Sequence, residues 1–153
     1  MNISSSPERN RPHALTLAAA AGAATPLFER LGGRAALMNL LRHFYADLRQ
    51  HAVLGPIFND RIKDWPAHLE TIADFWMRVT GGPAYYEGAV VARHMPLQLE
   101  GTHFDTWLGM WEHHCRAWLS SETALEMVAL ARQIAPRLLA ASRLSRPVAV
   151  DPR

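Results

Sequence analysis

The sequence predicts an all-α protein, because its apolar residues recur at helical spacing and nowhere alternate convincingly over the length of a strand. In residues 34–49 the apolar positions follow one another at intervals of three and four, which places them on one face of a helix. The segments 65–79, 102–119 and 125–144 repeat the pattern. A chain of 153 residues fits one domain. We therefore expect five or six helices in a domain spanning 25–144.

Local signals indicate where the first helices begin and end. Thr25 as N-cap with Pro26 at the first helical position predicts a short first helix. The glycines at 32–33 end that helix and precede the second one. Asp64 or Trp65 near the cap, with Pro66 inside the first turn, opens the helix that follows a break in the chain.

Several segments interrupt the helical pattern. A Gly-Pro pair breaks any long helix across 53–58, and the short stretch 84–91 contains a glycine. Pro96 disfavours helix at the residue before it, so His94 is expected in a short or loosely structured segment. Pro136 lies inside the last helix and is expected to kink it.

The two ends of the chain carry weaker patterns. Residues 15–24 are alanine-rich and follow Arg9 and Arg11, which faintly resembles the apolar region of a secretory signal. That tract is barely hydrophobic, so residues 1–24 are expected to be a disordered or irregular extension. Residues 145–153 are expected to form a loose tail.

Composition argues against several functional classes. The formal net charge is +2 and no basic run is interleaved with aromatic residues, which disfavours a nucleic-acid partner. No apolar run approaches the roughly 20 residues of a membrane span. Cys115 is the single cysteine and cannot form an intramolecular disulfide, which fits a reducing compartment. We therefore expect a cytoplasmic protein with no nucleic-acid partner and no membrane span.

Four side chains are candidates for chemistry. Tyr45, His68 and Trp107 lie on apolar helix faces, and His94 lies just ahead of a proline. Together an imidazole pair, a phenol and an indole in an apolar setting form a pocket suited to a small polar ligand. Each also has an ordinary interpretation as a core residue. A cofactor-free helical interaction protein therefore stays open as an alternative.

A metal site made of protein ligands alone has little support in the sequence. No H-E-x-x-H or C-x-x-C motif occurs, and the adjacent His113 and His114 face different sides of a helix. Cys115 is interpreted as an inert residue of a helix face. A prosthetic group that needs one strong protein ligand remains possible. Haem is such a group, because its porphyrin supplies four nitrogens and the protein adds an axial imidazole.

A set of unusual residues occurs in a characteristic order and spacing through the middle of the chain. Its members are Gly32, Gly33, Phe44, Tyr45, Phe58, Asp64, Trp65, His68, Leu69, Phe75, Trp76, Tyr86, Gly88, His94, His103, Phe104, Trp107 and Leu108. Over roughly 25–143 the chain resembles the truncated haemoglobins, the short two-over-two globins. The pattern from 64 to 108 is most similar to group III of that family, whereas the Gly-Gly-Pro at 81–83 is similar to group II.

The resemblance implies a globin-like, two-over-two helical sandwich that binds haem b (iron protoporphyrin IX). It implies His94 as the proximal iron ligand and Tyr45, His68 and Trp107 on the distal side. The remaining implied cofactor contacts are Phe58 stacking on the haem, Ile72 and Phe75 walling the pocket, and Tyr86 and Arg93 meeting the propionates.

These implied roles agree with the chemistry of the side chains. The second ring N–H of His94 is expected to donate to a backbone carbonyl of the preceding turn. The Tyr45 hydroxyl and the Trp107 indole N–H stabilise negative charge on a diatomic ligand in a water-poor pocket. A hydrogen bond to a charged acceptor contributes ~1.5–3 kcal/mol, which slows O₂ release roughly ten- to a hundredfold. His68 is open to three roles: gating the pocket, donating a further bond, or binding the iron.

Two such donors make O₂ release too slow for a transport role. We therefore expect O₂, NO and CO as ligands, with nitric oxide dioxygenase-like or peroxide-related chemistry that needs an external reductase. A haem-based gas-binding or sensor module without turnover is the alternative, because fold and family do not settle function. The expected assembly is a monomer or weak dimer.

Overall fold

The computed structural model describes residues 25–83, 93–94 and 97–144. Within these ranges no strand occurs, and the prediction of an all-α fold is confirmed. The helices are α1 (Leu27–Arg30), α2 (Gly33–Gln50), α3 (Leu54–Asn59), α4 (Trp65–Val79), α5 (Gly101–Trp118) and α6 (Ser121–Leu144).

Local signals mark several of these helix ends. The Asp64 side chain accepts a hydrogen bond from the Ala67 N–H at 3.1 Å, so it caps α4 as predicted. Gly32 ends α1 with a φ of 111°, a left-handed conformation that suits glycine. The prediction that Thr25 caps α1 is wrong by one residue. Pro26 is the N-cap instead, because its ψ of 149° is extended and keeps it outside the helix.

The segment around Gly55 is helical rather than merely a break. It forms the short helix α3, which packs against the end of α2. A Cβ built on Gly55 would lie 2.6 Å from the Arg49 carbonyl oxygen. Glycine is therefore required here by a close approach between two backbones.

The helices form two layers around a core centred on α2. Helix α2 packs against α4 and crosses α5, and α5 packs against α6. Phe44 is fully buried at the crossing, where its ring meets Trp111 edge-on at 5.1 Å between centroids. Trp111 stacks on Trp76 at 4.7 Å, and its indole N–H donates to the Met127 carbonyl at 3.3 Å. This aromatic cluster joins all four long helices.

Ion pairs on the outside of the molecule join helices that are distant in sequence. Arg34 of α2 pairs with Glu70 and Asp74 of α4, and Arg30 of α1 pairs with Glu126 of α6. These pairs are partly exposed, so they add little stability individually.

Helix α6 supports the short segment that carries His94. The buried Ser142 hydroxyl donates to the His94 carbonyl oxygen at 3.3 Å. Pro136 lies inside α6 as expected, and a kink there stays a prediction. The expectations for 1–24, 84–92 and 145–153, and for Tyr86, lie outside the described residues. In the part of the chain that the structure describes, no helix is long and apolar enough to cross a membrane.

Candidate functional site

A cavity of about 180 Å³ lies between the two helix layers. The walls come from α2, α3, α4, α5, α6 and the segments around 93–94 and 97–99. The lining side chains belong to Tyr45, Leu54, Phe58, Arg61, Ile62, His68, Thr71, Ile72, Phe75, Trp76, Arg93, His94, Leu97, Leu99, His103, Phe104, Trp107, Ile134, Ala135 and Leu138.

The fold brings the separate candidates of the sequence to this one cavity. Tyr45 comes from α2, His68 from α4, Trp107 from α5, and His94 from the segment tied to α6. Every other candidate that the structure describes also lines the cavity: Phe58, Ile72, Phe75 and Arg93. Their individual roles stay predictions, since position alone does not identify a ligand.

Tyr45 lines the cavity and carries a neutral hydroxyl. Its side chain is 7% exposed, and its ring packs edge-on against Phe44 at 4.9 Å between centroids. Burial raises the pKa of the phenol well above its ordinary value, because low polarity disfavours the phenolate. No described residue forms a hydrogen bond with the hydroxyl, which can therefore donate to a ligand.

His68 presents a half-buried imidazole beside Tyr45, with 6.5 Å between the two ring centroids. The pKa of His68 is lowered, mainly by burial and further by the positive charges of His94 and Arg93. The imidazole is therefore predominantly neutral at neutral pH. A neutral ring can accept a proton at one nitrogen and donate at the other.

Two neighbouring tryptophans of α5 have different surroundings. Trp111 is fully buried and hydrogen-bonded, as a core residue should be. Trp107 is half-buried at the cavity and stacks on Trp111, with 5.7 Å between centroids and an interplanar angle of 5°. Among the described residues, none accepts a hydrogen bond from the Trp107 indole N–H. Like the Tyr45 hydroxyl, this donor therefore belongs to a cavity-lining residue and has no acceptor among the described residues.

His94 is half-buried and lines the cavity, and Ser142 holds its main-chain carbonyl. This places an imidazole on a segment anchored to α6 rather than on one of the four long helices. The carbonyl expected to accept the other ring N–H belongs to the preceding turn, which lies outside the described residues.

The sequence reasoning missed much of the cavity wall. Leu97, Leu99 and Phe104 form a small apolar cluster with residues of α6, and nothing in their spacing distinguished them from core. Arg61 also lines the cavity, and no pattern around it pointed there. His103, interpreted from the sequence as a rim or solvent-facing residue, lines the cavity too, and its Nδ1 accepts from the Glu100 N–H at 2.9 Å.

These residues fit a flat apolar group with an anionic edge and one metal coordination position to fill. Most of the lining is aliphatic or aromatic, and His94 supplies the imidazole. Arg61 and Arg93 line the cavity and are exposed to solvent, where guanidinium groups suit carboxylates. Haem has this combination of an apolar body, two propionates and an iron that takes an axial ligand.

Comparison with known proteins gives the same result. The model of the bacterial-like globin family matches residues 26–135. The group 3 truncated hemoglobin ctb of Campylobacter jejuni is 31% identical over 81 residues, which are 50% of this chain. That match covers 64% of the relative, so the chain spans somewhat less than two thirds of its length.

Solved structures share the fold. The group III truncated hemoglobin of Campylobacter jejuni superposes with a TM-score of 0.67 and 26% identity, covering 71% of this chain and 89% of that one. The group II truncated hemoglobin of Bacillus anthracis has a TM-score of 0.67 and 23% identity, with 75% and 91% covered. The 2/2 hemoglobin of Synechococcus sp. PCC 7002 has a TM-score of 0.69 and 22% identity, with 76% and 99% covered.

The family match extends over most of the chain, and its fold is that of the two-over-two relatives. Such membership implies a haem cofactor and the binding of diatomic gases. The chain belongs to the bacterial-like globin family and is a truncated two-over-two globin.

Proposed function

We propose that this protein holds haem b through His94 and combines O₂ with nitric oxide to give nitrate. The observation that carries the proposal is the convergence of Tyr45, His68 and Trp107 on the cavity that His94 also lines. Nitric oxide, O₂ and one electron balance to one nitrate ion. Each turnover therefore needs one electron from an external reductase.

The cavity residues divide the work of holding the cofactor. His94 would supply the metal ligand through its imidazole. Arg61 and Arg93 would pair with the propionates, and Tyr86 is a further candidate for that role. Phe58 would pack on the ring, while Ile72 and Phe75 would keep water out. When bound, haem b supplies an iron centre that binds diatomic gases and exchanges single electrons.

Tyr45 and Trp107 are the proposed ligand-binding donors. Each residue lines the cavity and carries a proton on a polar atom: the phenol oxygen of Tyr45 and Nε1 of Trp107. Hydrogen bonds from these groups favour a ligand with negative charge over a neutral one. Because each is worth ~1.5–3 kcal/mol with a charged acceptor, the pair retains O₂ long enough for reaction and opposes a bulk transport role.

Peroxide handling is a second candidate, favoured by His68. Its half-buried imidazole lines the same cavity and is held neutral by its surroundings. A neutral imidazole accepts a proton from one oxygen of a hydroperoxide and returns it to the other. Gating of the pocket stays open as a further role of His68, and a six-coordinate ferrous spectrum without gas would show that it coordinates the metal instead.

Rapid mixing of the oxygenated protein with nitric oxide tests the proposal. We expect oxidation of the ferrous haem within the mixing time and one nitrate per haem, and we expect Tyr45→Phe to release O₂ faster than wild type before mixing. If no oxidation follows mixing, the dioxygenase function is wrong. Addition of hydrogen peroxide then distinguishes peroxide chemistry from a gas-binding or sensor module without turnover.

The purified protein also allows tests of its cofactor content and its oligomeric state. A purified protein that is colourless and takes up no added haemin would favour a cofactor-free helical interaction protein. The single cysteine supports a reducing compartment such as the cytoplasm. Sedimentation at several concentrations tests the expected monomer or weak dimer.

A further inference from the structure

A second pocket opens on the surface beside the cavity. Its wall is formed by Arg49 at the end of α2, Asn59 at the end of α3, Ile62 and Lys63 in the following loop, and Trp65 at the start of α4. Ile62 lines both the surface pocket and the cavity. Only a thin partition therefore separates the two spaces.

Trp65 is the main part of that partition. Its side chain is 8% exposed and lines the surface pocket. The ring centroid lies 5.7 Å from that of Tyr45 and 5.6 Å from that of His68, and both of those rings line the cavity. The indole thus contacts two residues of the cavity and also lines the open pocket.

Arg49 holds the indole in this position. The Arg49 Cζ atom lies 4.7 Å from the centroid of the Trp65 ring, within the range of a cation–π contact. The Arg49 main chain is fixed, because its carbonyl accepts from the Asn59 amide at 3.0 Å. The Arg49 side chain, in contrast, is exposed. An exposed cation–π contact is weak, so the side chain can swing away while the backbone stays in place.

We propose that Trp65, held closed by Arg49, gates a lateral path for small gas ligands between the surface pocket and the cavity. The proposal rests on the proposed function only in requiring a bound haem with a gas ligand. When the Arg49 side chain leaves, the indole can rotate into the surface pocket, and the space between Tyr45 and Ile62 then connects the cavity to solvent. Lateral opening in this way does not need His68 to move.

Carbon monoxide recombination after laser photolysis tests the gate. Trp65→Ala is expected to raise the bimolecular association rate by at least roughly fivefold and to lower the fraction that recombines before escape. Arg49→Ala is expected to raise the rate roughly two- to fivefold. Loss of an exposed cation–π contact would increase the population of the open position of Trp65 by about this factor. Arg49→Lys keeps a cation and should stay near wild type.

Trp118→Ala is the matched control. Trp118 is a partly exposed tryptophan that stacks on His43 at 3.8 Å between centroids and lines neither pocket. Its rate should equal that of wild type. Wild-type association rates in both Trp65→Ala and Arg49→Ala would overturn the gate. If Trp65→Ala fails to fold, Trp65→Phe and Arg49→Ala decide the question in its place.

The infrared stretching frequency of the bound carbon monoxide separates gating from positioning. A gate predicts faster association in Arg49→Ala with an unchanged frequency, because Tyr45 still donates as before. A shifted frequency with an unchanged rate would mean that Trp65 only positions Tyr45, which contradicts the proposal. Carbon monoxide binding is measurable whether or not nitric oxide is oxidised, so failure of the gate and failure of the proposed function are distinguishable.

Discussion

Replacement of Tyr45 by phenylalanine removes one hydroxyl and leaves the packing of the ring intact. The ring keeps its edge contact with Phe44, at 4.9 Å between centroids. The hydroxyl has no hydrogen-bond partner among the described residues, so no contact within that part of the chain is lost. The substitution therefore isolates the bond that Tyr45 is proposed to donate to a ligand.

The expected effect is on O₂ dissociation rather than on stability. A bond to an acceptor with negative charge is worth ~1.5–3 kcal/mol, and its loss speeds dissociation roughly ten- to a hundredfold. The free energy of unfolding should change by less than about 0.5 kcal/mol, or rise, since a buried hydroxyl without a partner is removed. A large kinetic effect with a small change in stability is the signature of a ligand donor.

Stopped-flow replacement of O₂ by carbon monoxide gives the dissociation rate, and thermal unfolding gives the stability. Trp107→Phe is the matched variant, because Trp107 is the other donor without a described acceptor. An unchanged rate in Tyr45→Phe would transfer the donor role to Trp107 or His68. A loss of several kcal/mol in stability would show instead that the Tyr45 hydroxyl supports the fold.

Backbone packing and the titration of buried groups give further predictions. Gly55→Ala should destabilise the protein by about 1–3 kcal/mol, because its Cβ would meet the Arg49 carbonyl. Gly109→Ala, on an exposed face of α5 with no atom within 4 Å of its Cβ, should stabilise by about 0.5–1 kcal/mol; chemical denaturation that ranks the two variants the other way would refute this packing. Burial raises the pKa of the Cys115 thiol to about 12. A disulfide reagent at pH 8 should therefore label the protein only as fast as the protein unfolds. Rapid labelling of the folded protein would contradict the burial of Cys115. Because the pKa of Tyr45 is raised in the folded state, the tyrosine of the unfolded chain ionises first, above about pH 10. The free energy of unfolding of wild type relative to Tyr45→Phe should therefore be constant up to that pH and fall above it. A fall that begins below pH 9 would refute the burial of this phenol.

The helices were predictable because their signals are local. Asp64 and Gly32 mark helix ends through a side-chain cap and a left-handed backbone, and both signals lie within a few residues of the end they mark. The N-cap of α1 was predicted one residue too early, at Thr25. The φ angle of proline suits both an N-cap and a first helical residue, so the sequence did not distinguish the two positions for Pro26. Helix α3 was missed because Gly55 reads as a breaker until its approach to α2 is known.

The site was predictable only in part, because a cavity is defined by residues that are distant in sequence. Trp107 and Trp111 lie four residues apart on one face of α5, yet only Trp107 lines the cavity. The helical periodicity does not distinguish the cavity tryptophan from the core tryptophan. Only the resemblance to the truncated haemoglobins distinguished them. The wall contributed by Leu138 and its neighbours on α6 follows ordinary core spacing, and Arg61 has no local signal at all.

Titration of haemin into the purified protein, with ferrous spectra of wild type and His94→Ala, is the most direct test of how the chain holds its cofactor. We expect wild type to take up one haem and to give a five-coordinate ferrous spectrum in the absence of gas. His94→Ala should lose the haem or regain that spectrum only with added imidazole. A normal five-coordinate ferrous spectrum in His94→Ala without imidazole would contradict the assignment of His94 as the metal ligand.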